Sequence, residues 1–304
     1  MSHNLSGISF VIPAYNESKS VLGTLERLWA TLSALDLPFE IILVNDGSKD
    51  DTLAQVAQFS HPLLVLSHPI NIGYGNSLKT GIKAANFEVI GIVDADGTYD
   101  IECLPQLVAE MEKGYDLVVA GRPNTSEFDS LSKRFFRGVF KKILRVLVHK
   151  RIDDPNSGFR LFKRDKILQI FPFLCGTFSF TTTMTIFFFN MDWFVSYLSI
   201  PYHERTGHSK VKHFRDSILT LLMIVQGITF FNPIKFFFIL MALVVLVIFI
   251  PAMGLAMLNM HTLSLYYLVF GALLSILIGI GVLGDIVRIS IEKLINKDYP
   301  QKGR

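Results

Sequence analysis

Between residues 8 and 121 the chain alternates short apolar runs with stretches of helical periodicity. Ile8–Ile12, Glu40–Val44, Leu63–Leu66, Val89–Val93 and Leu117–Ala120 are short and apolar, and predict strands. Amphipathic stretches near 18–35, 50–58, 76–86 and 101–113 lie between them and predict helices. Apolar strands flanked by helices predict an α/β fold with a mostly parallel sheet covered on both faces. Residues 131–150 place Phe135, Phe136, Val139, Phe140, Ile143, Leu144 and Leu147 at helical spacing, with cations on the other side. A second strand-and-helix region runs from Ser157 to about Lys212 and includes the aromatic-rich stretch from Phe187 to Tyr202. An apolar helix over about Ser217–Phe231 stops at Asn232-Pro233.

Two long runs without a charge follow, Phe236–Leu258 and Leu263–Leu283. At about 1.5 Å per residue each covers about 30 Å, the thickness of a bilayer core. The alternative is a pair of buried core helices, which are rarely this long without a charge. The connection Asn259–Thr262 is short, so the two runs predict a transmembrane hairpin. The organisation expected is a domain over 1–212, a juxtamembrane amphipathic helix within 213–232, the hairpin over 233–285 and a tail over 286–304.

Composition agrees with this division. Half of the 304 residues are hydrophobic and the mean hydropathy is +0.42, with the excess concentrated after Asn232. The net charge is only +3, but residues 131–151 hold eight cations and no acid, from Lys133 to Arg151. Such a helix suits an anionic headgroup layer, or is a domain helix with a solvated basic face. Balanced charge elsewhere argues against a nucleic-acid role. Lys210, Lys212, Arg215 and Lys235 precede the first span, and Arg288, Lys293 and Lys297 follow the second. The positive-inside rule then puts both termini in the cytosol, in a multi-pass protein of the cytoplasmic membrane. Cys103 and Cys175 match no metal or redox spacing and are expected to be reduced thiols. The N-terminus has no basic n-region, so the domain is expected to stay in the cytosol.

Parallel sheets bind ligands beyond the carboxyl ends of their strands. Tyr15-Asn16-Glu17, Asn45-Asp46-Gly47-Ser48 and Asp94-Ala95-Asp96 each follow a predicted strand, so their polar groups are expected on one edge. Paired carboxylates would repel a diphosphate unless a hard cation lay between them, and Mg2+ takes one or two carboxylates beside phosphate oxygens and water. Mg2+ or Mn2+ is the cofactor expected at Asp94 and Asp96. Ser48 or Asp50 is a candidate N-cap, and Asp46 itself has capping as its plain alternative. Pro13 is expected to halt the first strand's ladder. Asn71-Ile72-Gly73-Tyr74-Gly75 precedes a helix, and its glycines would let backbone N–H groups approach an anion there. Asp154, just before the Pro155–Gly158 turn, is either a turn residue or a group that orients an acceptor.

Together these stretches resemble the family 2 glycosyltransferases of the GT-A fold, within them the dolichol-phosphate mannose synthase and bacterial polyprenyl-phosphate glycosyltransferase group. The resemblance rests on Ile12–Glu17, Val44–Ser48, Asn71–Gly75, Asp94–Asp96, Gly121-Arg122, Asn156–Arg160 and Arg205–Lys210, in that order. It implies that Pro13, Tyr15, Glu17, Val44, Asp46 and Gly73 hold the nucleoside end, with Asp94 and Ala95 near the ribose or metal. Asp96 would be the main metal ligand. Arg122, Arg160, Arg205, Ser209 and Lys210 would face the diphosphate or the acceptor phosphate. Two positions depart from the pattern: Glu204 stands before Arg205, where relatives often carry a second cation, and Phe178–Thr183 lies where they often place a carboxylate.

The expected partners are a UDP- or GDP-linked sugar, undecaprenyl or dolichyl phosphate, and the bilayer, with homo-oligomerisation open. The expected reaction is in-line displacement at the anomeric carbon with inversion. Two other readings fit the same residues: a glycosyltransferase that extends a lipid-linked saccharide, and a non-catalytic membrane scaffold that binds a sugar nucleotide. The Gln-x-x-Arg-Trp motif of processive synthases is absent around Trp29 and Trp193.

Overall fold

The computed structural model describes residues 5–122, 152–201 and 233–298. The first two stretches belong to one compact unit and the third to another. The helices expected over 131–150 and 217–231, and Arg205, Ser209 and Lys210, lie outside the described residues.

The first unit is built on seven strands: β1 (Ile8–Ala14), β2 (Phe39–Asn45), β3 (Leu64–Ser67), β4 (Val89–Ile92), β5 (Leu117–Gly121), β6 (Arg160–Lys163) and β7 (Val195–Ser199). Their order is β3-β2-β1-β4-β6-β5-β7. β1 runs parallel to β2 and β4, β2 to β3, and β5 to β7. β6 runs against both of its neighbours. The five strands expected from apolar runs are all present, and the sheet is mostly parallel.

β1 lies at the centre of its group and every one of its residues is buried, as a strand covered on both faces requires. α1 (Val21–Ser33) presents Val21, Leu25, Leu28 and Leu32 to the core at helical spacing. These meet Phe10, Ile12, Leu104, Leu107, Phe159 and Leu161 in one apolar cluster. Each fully buried Leu or Phe there stabilises the fold by about 1.5–3 kcal/mol. α2 (Thr52–Val56), α3 (Tyr74–Ala84), α4 (Leu104–Glu112), α5 (Arg164–Gln169) and α6 (Phe180–Asn190) complete the described helices of this unit. Residues 180–189 of α6 are all buried, so its apolar residues need no single face.

Pro13 does not halt the ladder. β1 continues to Ala14, with Pro13 opposite Val44. The Ala14 carbonyl accepts the Asp46 N–H, and the Val11 carbonyl points the other way to Val93. Pro13 shares the parity of Val11, so its missing N–H faces β4, where pairing has already ended at Val11 and Ile92. A proline costs no ladder bond there.

The register fixes the functional edge. Ala14 lies opposite Asn45, and Val11 opposite Ile92, so β1 and β2 end level and β4 ends a few residues earlier at the same edge. Because β6 is reversed, it begins at that same edge, with Arg160 opposite both Ile92 and Val119. Loops far apart in sequence therefore share one rim.

The second unit is a helical hairpin. α7 (Pro233–Val244) passes through a π turn (Val245–Phe249) into α8 (Ile250–Met257), and α9 (His261–Asp298) returns. The segments Leu240–Met257 and His261–Gly284 are long and apolar enough to cross a membrane. Their large side chains, Phe238, Leu246, Phe270 and Leu277 among them, are exposed. The Tyr267 hydroxyl from the facing helix donates to the Val247 carbonyl, inside the π turn, at 3.3 Å. Ser264 Oγ likewise donates to the Ala252 carbonyl at 2.7 Å. Such bonds suit a hairpin in hydrocarbon, where an unmet carbonyl has no water.

Candidate active site

Backbone and hydroxyl groups clamp the ends of β1 and β2 together. The Asn16 N–H donates to Ser48 Oγ at 3.0 Å, and the Lys49 N–H to Asn16 Oδ1 at 2.8 Å. The Glu17 N–H reaches Thr52 Oγ1 at 2.9 Å, and the Ser18 N–H reaches Asp50 Oδ2 at 3.2 Å. The N-cap position of α2 is Asp51 and not Ser48 or Asp50, the two expected caps; Asp50 Oδ1 receives the Thr52 N–H at 3.1 Å. Burial would raise its pKa, but the bonds from Thr52 and Ser18 outweigh this and hold it below the usual value. Tyr15, Asn16 and Glu17 stay half-buried beside this clamp, while Pro13 and Val44 are buried behind it.

Asp46 is buried, and its carboxylate accepts three hydrogen bonds. Ile72 N–H donates to Oδ1 at 3.0 Å and Gly73 N–H to Oδ2 at 2.9 Å. His68 Nδ1 lies 2.8 Å from Oδ1, and its Nε2 lies 3.0 Å from Thr80 Oγ1. The glycine turn thus takes an anion, as its composition predicts, but in this structure the anion is the protein's own Asp46. Gly73 holds φ 106°, a conformation other residues rarely adopt. A Cβ on Gly75 would come within 2.2 Å of the Cys175 carbonyl. The Asn76 N–H at the start of α3 donates to the Gly176 carbonyl at 3.0 Å.

The same turn reaches the acidic triplet. Tyr74 donates its hydroxyl to Asp94 Oδ1 at 2.8 Å while its ring stacks on Phe178, centroids 5.6 Å apart. Burial first, then the Asp94 charge, push the Tyr74 phenol well above its ordinary pKa, so it stays a donor. Asp94 Oδ2 lies where a Cβ on Gly158 would be, 2.3 Å away, so glycine makes room for the carboxylate. The Gly158 N–H donates to the Tyr99 hydroxyl oxygen at 2.6 Å. Asp96 is buried, and its Oδ1 accepts Thr98 Oγ1 at 2.7 Å and the Thr98 N–H at 3.2 Å. Ala95 is buried between them, and its carbonyl accepts Thr24 Oγ1 at 3.2 Å.

At the end of β5, Arg122 grips Asp154 with Nε at 2.6 Å and Nη2 at 2.9 Å. The Arg122 N–H adds a third bond at 3.1 Å. Burial would raise the Asp154 pKa, but the Arg122 bonds and charge win and hold it below the usual carboxylate value. Arg160 is fully buried. It donates to the carbonyls of Ser157 at 2.9 Å, Thr181 at 3.1 Å and Pro155 at 3.3 Å, and to Thr185 Oγ1 at 3.0 Å. Its side chain therefore stitches the Pro155–Gly158 turn to α6 and has no surface to offer a phosphate.

The comparisons with known proteins address this arrangement. The profile described as glycosyl transferase family 2 matches residues 9–171. The chain belongs to that family. A dolichyl-phosphate beta-glucosyltransferase of Trichomonas vaginalis is 32% identical over 181 residues, 54% of this chain and 54% of its own. An undecaprenyl-phosphate 4-deoxy-4-formamido-L-arabinose transferase of Yersinia enterocolitica is 28% identical over 239 residues, 74% of this chain and 66% of its own. The chain thus spans about half to two thirds of the length of these relatives. Among solved structures, the glucosyl-3-phosphoglycerate synthase of Mycobacterium tuberculosis, in complex with Mn2+, uridine-diphosphate and phosphoglyceric acid, gives a TM-score of 0.58 at 17% identity. That likeness covers 73% of this chain and 78% of that one, and it is a likeness of fold. The fold is GT-A, the fold of that structural neighbour.

Among the described residues, no group of three or more His, Cys, Asp and Glu gathers to form a full metal shell. The donors at Asp94 and Asp96 are hard carboxylate oxygens on one tight triplet, each braced by a hydroxyl. That set suits a hard divalent cation that takes its remaining ligands from phosphate and water. The resemblance gave no role to His68, Tyr74, Tyr99 or Thr98. Tyr74 stood in a motif, but nothing local links residues 74 and 94.

Proposed function

We propose that this chain transfers a sugar from a UDP- or GDP-linked donor to polyprenyl phosphate at the cytosolic face of a membrane. The observation that carries the reading is the shared turn: Asp46 and Asp94, from different strands, both bond to residues 72–74. One rim can therefore hold a nucleoside at Asp46 and a diphosphate at Asp94 and Asp96. The relatives' names supply the acceptor class, since both act on polyprenyl phosphates. The apolar hairpin gives a means of meeting a lipid acceptor.

In this reading Tyr15 and Glu17 flank the base, and Pro13 and Val44 form the floor beneath it. Asp96 and Asp94 would hold Mg2+ or Mn2+, which supplies Lewis-acid stabilisation of the leaving diphosphate when bound. Arg122, oriented by Asp154, faces the phosphates, with Lys210, Arg205 and Ser209 joining from the segment before the membrane. A phosphate monoester with a second pKa of about 6 is mostly dianionic at neutral pH and needs little help from a base. Its oxygen attacks the anomeric carbon, and the bond to the nucleoside diphosphate breaks with the electron pair leaving on that phosphate. The charge compensation needed between two anions falls to the cations and the metal.

The test is transfer of labelled sugar by the full chain in liposomes, with UDP-glucose, UDP-N-acetylglucosamine and GDP-mannose as donors. Undecaprenyl phosphate, dolichyl phosphate and a lipid-linked disaccharide serve as acceptors. Transfer to a polyprenyl phosphate supports the reading. Transfer to the saccharide alone favours chain extension, and nucleotide binding without transfer favours a scaffold.

A further inference from the structure

His68 sits at the end of β3 and Thr80 lies on α3, yet their side chains form one line with Asp46. The imidazole is held at both nitrogens: Nδ1 at 2.8 Å from Asp46 Oδ1 and Nε2 at 3.0 Å from Thr80 Oγ1. A carboxylate only accepts, so Nδ1 carries a proton and donates to Asp46. In the neutral ring Nε2 is then an acceptor, and the Thr80 hydroxyl donates to it. Asp46 thus sets the tautomer and the Thr80 bond holds the ring plane, as the outer partner of a metal-bound histidine does.

A carboxylate offers about four lone-pair positions. Ile72 N–H and His68 Nδ1–H occupy both positions of Oδ1, and Gly73 N–H occupies one of Oδ2. One position on Oδ2 is left without a bond among these. We propose that His68, braced by Thr80, is a positioning residue that locks the Asp46 carboxylate so that this last position selects a nucleobase with a ring N–H. Uracil at N3 and guanine at N1 carry such a donor; cytosine and adenine present an acceptor at the equivalent place. The inference rests on the reading that Asp46 meets the nucleobase, and it adds what aims the carboxylate. Without the imidazole, Oδ1 keeps only the Ile72 bond, and the carboxylate can turn about its χ2 angle toward the gap left behind.

The test measures binding of UDP, GDP and CDP, each alone, to the full chain in detergent micelles. The quantity read is the affinity for the better of UDP and GDP divided by that for CDP. Asp46→Asn checks the underlying reading: its amide can donate to cytosine, so the ratio should fall by tenfold or more. His68→Ala should lower the ratio about five- to tenfold through weaker UDP or GDP binding, and His68→Gln, which keeps a donor, should recover part of it. Thr80→Val, which preserves shape, gives a second route to the same loss and covers the case in which His68→Ala fails to fold. If Asp46→Asn leaves the ratio unchanged, the base is not at Asp46 and both readings fall. If Asp46→Asn lowers the ratio but His68→Ala and Thr80→Val change all three affinities by one factor, the positioning role is overturned alone.

Discussion

Arg122 holds Asp154 by both carboxylate oxygens, through Nε at 2.6 Å and Nη2 at 2.9 Å. The sequence offers the two residues for separate tasks, a cation for phosphate and an acid for an acceptor. The structure makes them one unit, with each side chain less than a fifth exposed. A planar guanidinium bound at two points is fixed in direction, which a lone surface arginine is not.

Breaking that pair from one side should cost more than removing it whole. Asp154→Ala removes the three hydrogen bonds that the Arg122 N–H and guanidinium make to it, at about 3 kcal/mol. Arg122→Leu with Asp154→Leu should recover at least about 1 kcal/mol of that loss, while activity stays abolished. Thermal unfolding of the single and double variants, compared in a double-mutant cycle, reads the coupling. Additive losses would place the pair's bonds outside the stability of the fold.

Gly158→Ala should damage activity more than stability. Its new methyl group would meet Asp94 Oδ2 at 2.3 Å, and Gly158 has no positive φ that alanine would strain. The carboxylate must turn away, so turnover should drop by at least about tenfold, about 1.4 kcal/mol in the barrier. The concentration of Mg2+ or Mn2+ giving half-maximal rate should rise. Melting temperature and metal titration on the same preparation separate this from simple misfolding.

The strands were legible because burial on both faces forces continuous apolar runs, as Ile8–Ile12 and Val89–Val93 show. The acidic triplet was legible because it follows such a run. The reversal of β6 was not: Arg160–Lys163 carries no mark of direction, yet that reversal brings Gly158 against Asp94. The resemblance implied that Arg160 faces a phosphate. Its burial depends on carbonyls from Pro155, Ser157 and Thr181, whose orientation no pattern of residue types records. The line from Asp46 to His68 to Thr80 is hidden for the same reason, since spacings of 22 and 12 residues match no local period.

Acid stability should show one assignable contribution. Hydrogen bonds from Arg27 hold the Glu102 carboxyl at about 2, down from 4.5. A depressed folded-state pKa gives stability that is present above the ordinary value and lost as pH falls toward the folded one. Glu102→Gln should therefore flatten the stability curve between about pH 4.5 and about pH 2, leaving a constant offset above that range. Urea unfolding midpoints across those pH values measure the slope, and an unchanged slope would count against the Arg27 contact. Both groups are largely exposed, so the effect should shrink in high salt.

In the hairpin, Tyr267→Phe removes the hydroxyl that donates to the Val247 carbonyl of the facing helix. The expected loss is about 0.6–1.7 kcal/mol, the range for bonds between membrane helices. Unfolding in mixed micelles by increasing denaturing detergent reads it.

The central claim is that Asp94 and Asp96 act through a divalent cation at a rim shared with Asp46. The most direct measurement is sugar transfer to polyprenyl phosphate by the full chain in liposomes, before and after EDTA and after return of Mg2+ or Mn2+. The account predicts that EDTA abolishes transfer, that the metal restores it, and that Asp96→Asn stays inactive at every metal concentration while still binding UDP or GDP. Undiminished transfer in EDTA, or full activity in Asp96→Asn, would contradict it.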